Sequence, residues 1–67
     1  MVNNGKSDVL VIIPAYNEAG RIKHVLGGIR ASVPDADILV VDDGSSDATP
    51  YEANTGGAMV ISHPFNM

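Results

Sequence analysis

The sequence predicts an α/β protein: a three-stranded parallel sheet in spatial order 3-2-1, with two crossover helices on one face. Three observations carry that prediction. Asp8–Ile13, Ile38–Val41 and Ala58–Ser62 are apolar runs without polar alternation, as in strands buried on both faces. Two stretches with helical signals separate them, so the order is β-α-β-α-β. The second run stops at Asp42-Asp43-Gly44-Ser45-Ser46-Asp47, a strand end opening into a polar loop. Ligands of open parallel sheets bind outside the carboxyl ends of the strands, which makes Asp42 and Asp43 candidate site residues.

Met1 to Ser7 is polar with Asn-Asn-Gly and is expected to be a loose terminus. Pro14 cannot donate to a ladder and is expected to end the first strand. Ala15-Tyr16-Asn17-Glu18 then forms a loop, with Asn17 as N-cap of a helix from Glu18 to about Ala31. Ile22, Val25, Leu26 and Ile29 make the apolar stripe of that helix. Gly27-Gly28 weakens it by about 1 kcal/mol per glycine and permits close approach to the sheet. Val33-Pro34-Asp35 ends it. Thr49-Pro50-Tyr51-Glu52 fits a capping box, with Thr49 at the N-cap, Glu52 at N3 and Pro50 first in the second helix. Gly56-Gly57 closes that helix, and His63-Pro64 stops the third strand.

A chain of 67 residues is one small domain, 1–67, or a piece of a larger one. It has no cysteine, so neither a disulfide nor a thiolate metal site can staple it. Eight Asp and Glu against four Lys and Arg argue against binding nucleic acid or an anionic membrane. The apolar stretch from Val9 to Ala15 is too short to span a bilayer, and the start lacks a signal-peptide layout. A cytoplasmic location is expected.

Right-handed crossovers in order 3-2-1 put both helices on one face. The other face is then bare, although all three strands are apolar on both sides. The first strand has the composition of a central strand, with nothing here to lie beyond it. Such an edge and face predict a truncated domain that also self-associates through one or the other.

Three blocks support a resemblance: Val11-Ile12-Ile13-Pro14-Ala15-Tyr16-Asn17-Glu18, Ile38 to Thr49 with its Asp42-Asp43-Gly44, and Val60-Ile61-Ser62-His63-Pro64-Phe65-Asn66. In order and spacing they resemble the opening of a family 2 glycosyltransferase, most of all the dolichyl- and polyprenyl-phosphate mannosyltransferases. The resemblance implies the Rossmann-like amino-terminal half of a GT-A fold, with a GDP- or UDP-sugar donor. It implies that Pro14, Ala15, Tyr16 and Glu18 line the nucleotide pocket, that Asp43 contacts the base, and that Asp42 and Gly44 lie beside it. The chemistry suits the types. A carboxylate accepts from ring and exocyclic N–H groups, a tyrosine ring covers a base or ribose, and glycine permits a close loop. The family's Asp-X-Asp, which holds Mg²⁺ or Mn²⁺, lies beyond the third strand. The metal is thus expected in the full-length parent and not on this chain, which is expected to be inactive alone.

Blander roles stay open. Asp42 and Asp43 also suit loop amides and the cap of the next helix. Tyr16 can pack over the first helix, and Glu18 can serve the helix dipole. His24 suits a solvated helix face, and His63 suits a loop. Nucleophile-elbow, phosphate-loop and dinucleotide patterns are absent. Two rival readings remain. A response-regulator receiver would need an acceptor Asp after the third strand, where Ser62-His63 stands. The other is a non-catalytic nucleotide-binding or oligomerisation module.

Overall fold

A computed structural model of the chain describes residues 9–63. Strands β1 (Leu10–Ala15), β2 (Asp37–Asp42) and β3 (Met59–Ser62) alternate with helices α1 (Ile22–Ser32) and α2 (Thr49–Thr55). The sheet has the order β1-β2-β3, and both pairings are parallel. Asp8 at one end, and Pro64 to Asn66 of the third sequence block at the other, lie outside the described residues.

The register explains the two faces. Val11 faces across to Ile38, and Ile13 to Val40 and Val60, on the side where the helices pack. There Ile22 and Leu26 from α1 and Ala53 from α2 close over Ile38 and Val40, which makes the core. Both helices therefore share one face, as expected. On the other face Leu10, Ile12, Met59 and Ile61 are each more than half exposed. The apolar character of the strands on both sides is thus real, and the described residues cover only one side.

Several local expectations are corrected. Pro14 does not end β1; it pairs in register opposite Val41, and the strand runs on to Ala15. In a parallel strand alternate residues bond to the same neighbour. Ala15 O accepts the Asp43 N–H at 2.9 Å, so Pro14 faces the open edge, where no donor is needed. Helix α1 starts at Ile22 and not Glu18, because residues 18–21 are spent on a tight turn onto the Glu18 carbonyl. Asn17 is no cap. Its φ of 51° is left-handed, and its Oδ1 accepts the Ser46 N–H at 2.9 Å. Val25 is 44 % exposed, so the buried stripe is narrower than its spacing promised.

Close helix packing comes from a different glycine pair than expected. A Cβ on Gly27 or Gly28 would meet nothing within 4 Å. One on Gly56 would lie 2.9 Å from Leu26 Cδ1, so α1 and α2 meet there. The Arg30 guanidinium reinforces the contact by donating to the Gly56 carbonyl at 2.9 Å.

Leu26 is thus the side chain on which helix–helix and helix–sheet packing converge, and it is 1 % exposed. Replacing it by alanine is expected to cost about 2–5 kcal/mol, read as a lower midpoint in chemical denaturation. Lys23→Ala, on the exposed side of the same helix, should leave the midpoint almost unchanged.

Candidate functional site

The β1–α1 and β2–α2 loops leave neighbouring parallel strands, so both emerge at the same carboxyl edge. What keeps them together is a set of side-chain bonds to backbone. Four consecutive amides of the first loop are each taken by an oxygen from the second loop or α2. The Asn17 N–H donates to Ser45 Oγ at 2.8 Å and the Glu18 N–H to Thr49 Oγ1 at 2.7 Å. The Ala19 N–H donates to Asp47 Oδ2 at 3.2 Å and the Gly20 N–H to Glu52 Oε1 at 2.8 Å.

Three of the four acceptors, Ser45, Thr49 and Asp47, are themselves anchored. The Ser45 hydroxyl donates to the Asp42 carboxylate, which also accepts the Ser45 N–H at 3.3 Å. The Thr49 hydroxyl donates to Asp47, which also accepts the Thr49 N–H at 2.9 Å. This changes the capping expectation. Thr49 is the first residue of α2 and Ala48 its N-cap, without a side-chain cap; Asp47, one residue earlier, accepts the Thr49 N–H, and Glu52 reaches across to Gly20 instead of back to its own helix start. The two loops behave as one hydrogen-bonded unit.

Beside that seam lies an open depression of about 250 Å³, lined by Pro14, Ala15, Tyr16, Glu18 and Asp43. Of the residues singled out from the sequence, these five meet at one place. Asp42 and Gly44 do not line it. Asp42 is 2 % exposed beneath the loop and bonded to Ser45, while Gly44 makes the turn with a φ of 80°. Asp42 and Ala15 are register partners on the helix side of the sheet, and Asp43 is the next residue out. The strand alternation thus divides the paired acids: Asp42 points inward to hold the loop, and Asp43 stands at the depression.

Two neighbours went unrecognised in the sequence. Arg21 pairs with Glu18 at 2.8 Å, an i,i+3 spacing that was legible in principle. His63 Nδ1 lies 3.6 Å from Asp43 Oδ1, a contact across two strands that only the sheet register brings about.

The chemistry this arrangement offers is selective. In dinucleotide folds the amides at the first helix N-terminus face a phosphate. Here the amides of residues 17–20 are occupied by side-chain oxygens, so this loop is not a phosphate cradle. The depression instead offers a carboxylate, an exposed tyrosine ring and apolar Pro14 and Ala15, which suit a base and a sugar ring. Among the described residues no three His, Cys, Asp or Glu side chains converge on a metal position. No helix among them is long and apolar enough to cross a membrane.

In parallel α/β sheets the carboxyl edge, where this depression lies, is where ligands bind. The chain belongs to glycosyl transferase family 2, whose sequence profile matches residues 10–66. It is 50% identical over 50 residues to an undecaprenyl-phosphate mannosyltransferase of Micrococcus luteus, covering 75% of this chain and 21% of that protein. Protein RfbJ of Shigella flexneri is 40% identical over 57 residues, covering 85% of this chain and 44% of its own length. Among solved structures, glucosyl-3-phosphoglycerate synthase of Mycobacterium tuberculosis in complex with UDP superposes with a TM-score of 0.70 at 35% identity. That match covers 88% of this chain and 22% of the synthase. The same enzyme in complex with Mn²⁺ and UDP-glucose gives a TM-score of 0.69 at 35% identity, over 88% of this chain and 21% of that one. The chain spans less than half the length of these relatives. Its three parallel strands and two helices are the corresponding part of the GT-A glycosyltransferase fold.

Asp47 gives the seam a pH dependence. The Thr49 hydroxyl bond holds its carboxylate below the usual 3.8; partial desolvation opposes this, and the Thr49 and Ala19 amides add to it. A depressed folded value means that its stabilisation is complete above pH 3.8 and is lost as pH falls through the lower folded value. Asp47→Asn should therefore be less stable than the native protein above pH 3.8, with the gap narrowing on further acidification. Thermal unfolding midpoints across that window check it.

Proposed function

We propose that this chain is the amino-terminal, nucleotide-binding portion of a transferase that moves a sugar from a GDP- or UDP-sugar. Asp43 accepts from the N–H edge of the base, and Tyr16, with Pro14 and Ala15, covers the base or ribose. Glu18 lines the same depression, paired with Arg21. Asp42 and Gly44 act from beneath, shaping the loop that presents Asp43. The single observation that supports this most is the meeting of Pro14, Ala15, Tyr16, Glu18 and Asp43 around one depression at the carboxyl edge.

The acceptor is a polyprenyl phosphate in this reading, which the name of the Micrococcus luteus relative supports. The diphosphate is neutralised by Mg²⁺ or Mn²⁺ in the full-length protein; the synthase in complex with Mn²⁺ and UDP-glucose supports that. Because the loop amides are spent on side chains, the residues described here leave the diphosphate without such a partner. The 67-residue chain is accordingly inactive on its own, and its location is cytoplasmic. Its bare face, with Leu10, Ile12, Met59 and Ile61, associates with a second copy when nothing else covers it.

Isothermal titration of the full-length protein with GDP and with UDP, in the presence of Mn²⁺, tests the site. Asp43→Asn should weaken the preferred nucleotide about tenfold or more, while Lys23→Ala should leave it unchanged. Equal affinity of the Asp43→Asn variant for both nucleotides, at the native level, would contradict the reading. So would turnover of any nucleotide-sugar by the purified 67-residue chain.

A further inference from the structure

The sequence marks His63 only as a loop histidine, yet the fold carries it to the depression. Register pairs Asp42 with Ser62, so the residues that follow, Asp43 and His63, leave the sheet side by side. The His63 N–H donates to the Asp42 carbonyl at 2.8 Å, which ties its backbone to the end of β2. Its ring Nδ1 then lies 3.6 Å from Asp43 Oδ1.

We propose that His63 is a positioning residue for nucleotide recognition, holding one carboxylate oxygen of Asp43 so that the other faces the base. The inference rests on the donor-site reading above. The other acids at this edge already have fixed partners: Asp42 has Ser45, Asp47 has Thr49, and Glu18 has Arg21. Asp43 lines the depression, and His63 is the partner its side chain is given among the described residues. A carboxylate that must meet a planar N–H edge gains affinity when its rotamer is set beforehand. The separation is about half an ångström beyond direct hydrogen-bond range, and its shortening when nucleotide is bound is part of the proposal. The side chains are 49% and 37% exposed, so the pair adds little to folding and its loss is read in binding.

The test is a titration series on the full-length protein with GDP and UDP, with unfolding midpoints measured in parallel. His63→Ala should weaken binding about five- to tenfold with no shift in the midpoint. His63→Asn, whose amide N–H can stand near the place of Nδ1, should recover affinity to within about threefold of native. Asp43→Asn combined with His63→Ala should bind no more weakly than Asp43→Asn alone, because the histidine acts through that carboxylate. Native affinity in His63→Ala alongside a weakened Asp43→Asn overturns the positioning role and leaves the donor site standing. Additive losses in the double variant, or failure of His63→Asn to recover, overturn it as well. Native affinity in Asp43→Asn overturns the donor-site reading and this inference with it.

Discussion

The carboxyl edge of the sheet depends on four successive backbone N–H groups, those of residues 17 to 20, finding acceptors on the neighbouring loop and α2. A chain leaving a strand for a helix carries amides that the helix cannot satisfy, and burying them unpaired would cost free energy comparable to lost hydrogen bonds. Here the solution is supplied from outside the loop. Ser45, Thr49, Asp47 and Glu52 each provide one oxygen, and Asp42 and Asp47 accept from the hydroxyls in turn. Because a hydroxyl can accept and donate at once, Ser45 and Thr49 connect amide to carboxylate without leaving a polar group alone. Neither loop can move far without breaking bonds in the other.

That arrangement separates structural from ligand-facing residues within a single stretch of sequence. Asp42, Ser45, Asp47 and Thr49 face the seam, while Asp43 is turned to the depression beside Tyr16. It also sets the type of ligand group the edge can receive. With the loop amides occupied, the donors that would attract a phosphate are no longer on offer. A carboxylate and an aromatic ring remain, and these suit a nucleobase and its ribose.

The fold was legible to a large degree because periodicity and apolar runs carry it. The three strands, their parallel order and the single covered face all followed from β-α-β-α-β and from the composition of the strands. What was not legible has a common cause: contacts between residues distant in sequence override local signals. Asn17 has the composition of a cap, yet Ser46 claims its side chain, and α1 begins later. Thr49 and Glu52 have capping-box spacing, yet the β1–α1 loop claims both. Pro14 has the look of a strand stop, yet the edge position of β1 removes the need for its missing donor. At the candidate site, Asp43 was named from its place at a strand end and Pro14, Ala15, Tyr16 and Glu18 through family resemblance, and the five meet at one depression. The nearness of His63 could not be foreseen without the register of β3.

The two-loop seam is open to one direct measurement, amide hydrogen exchange at residues 17 to 20. Loop amides exposed to water exchange almost as fast as in an unfolded chain, whereas amides bonded to anchored acceptors do not. Protection is expected at Asn17 and Glu18, whose bonds are part-buried, and less at Ala19 and Gly20, whose bonds are exposed, with Asn17 losing it in Ser45→Ala and Glu18 losing it in Thr49→Val. Exchange at the free-loop rate in the native protein, or protection that survives both substitutions, would contradict it.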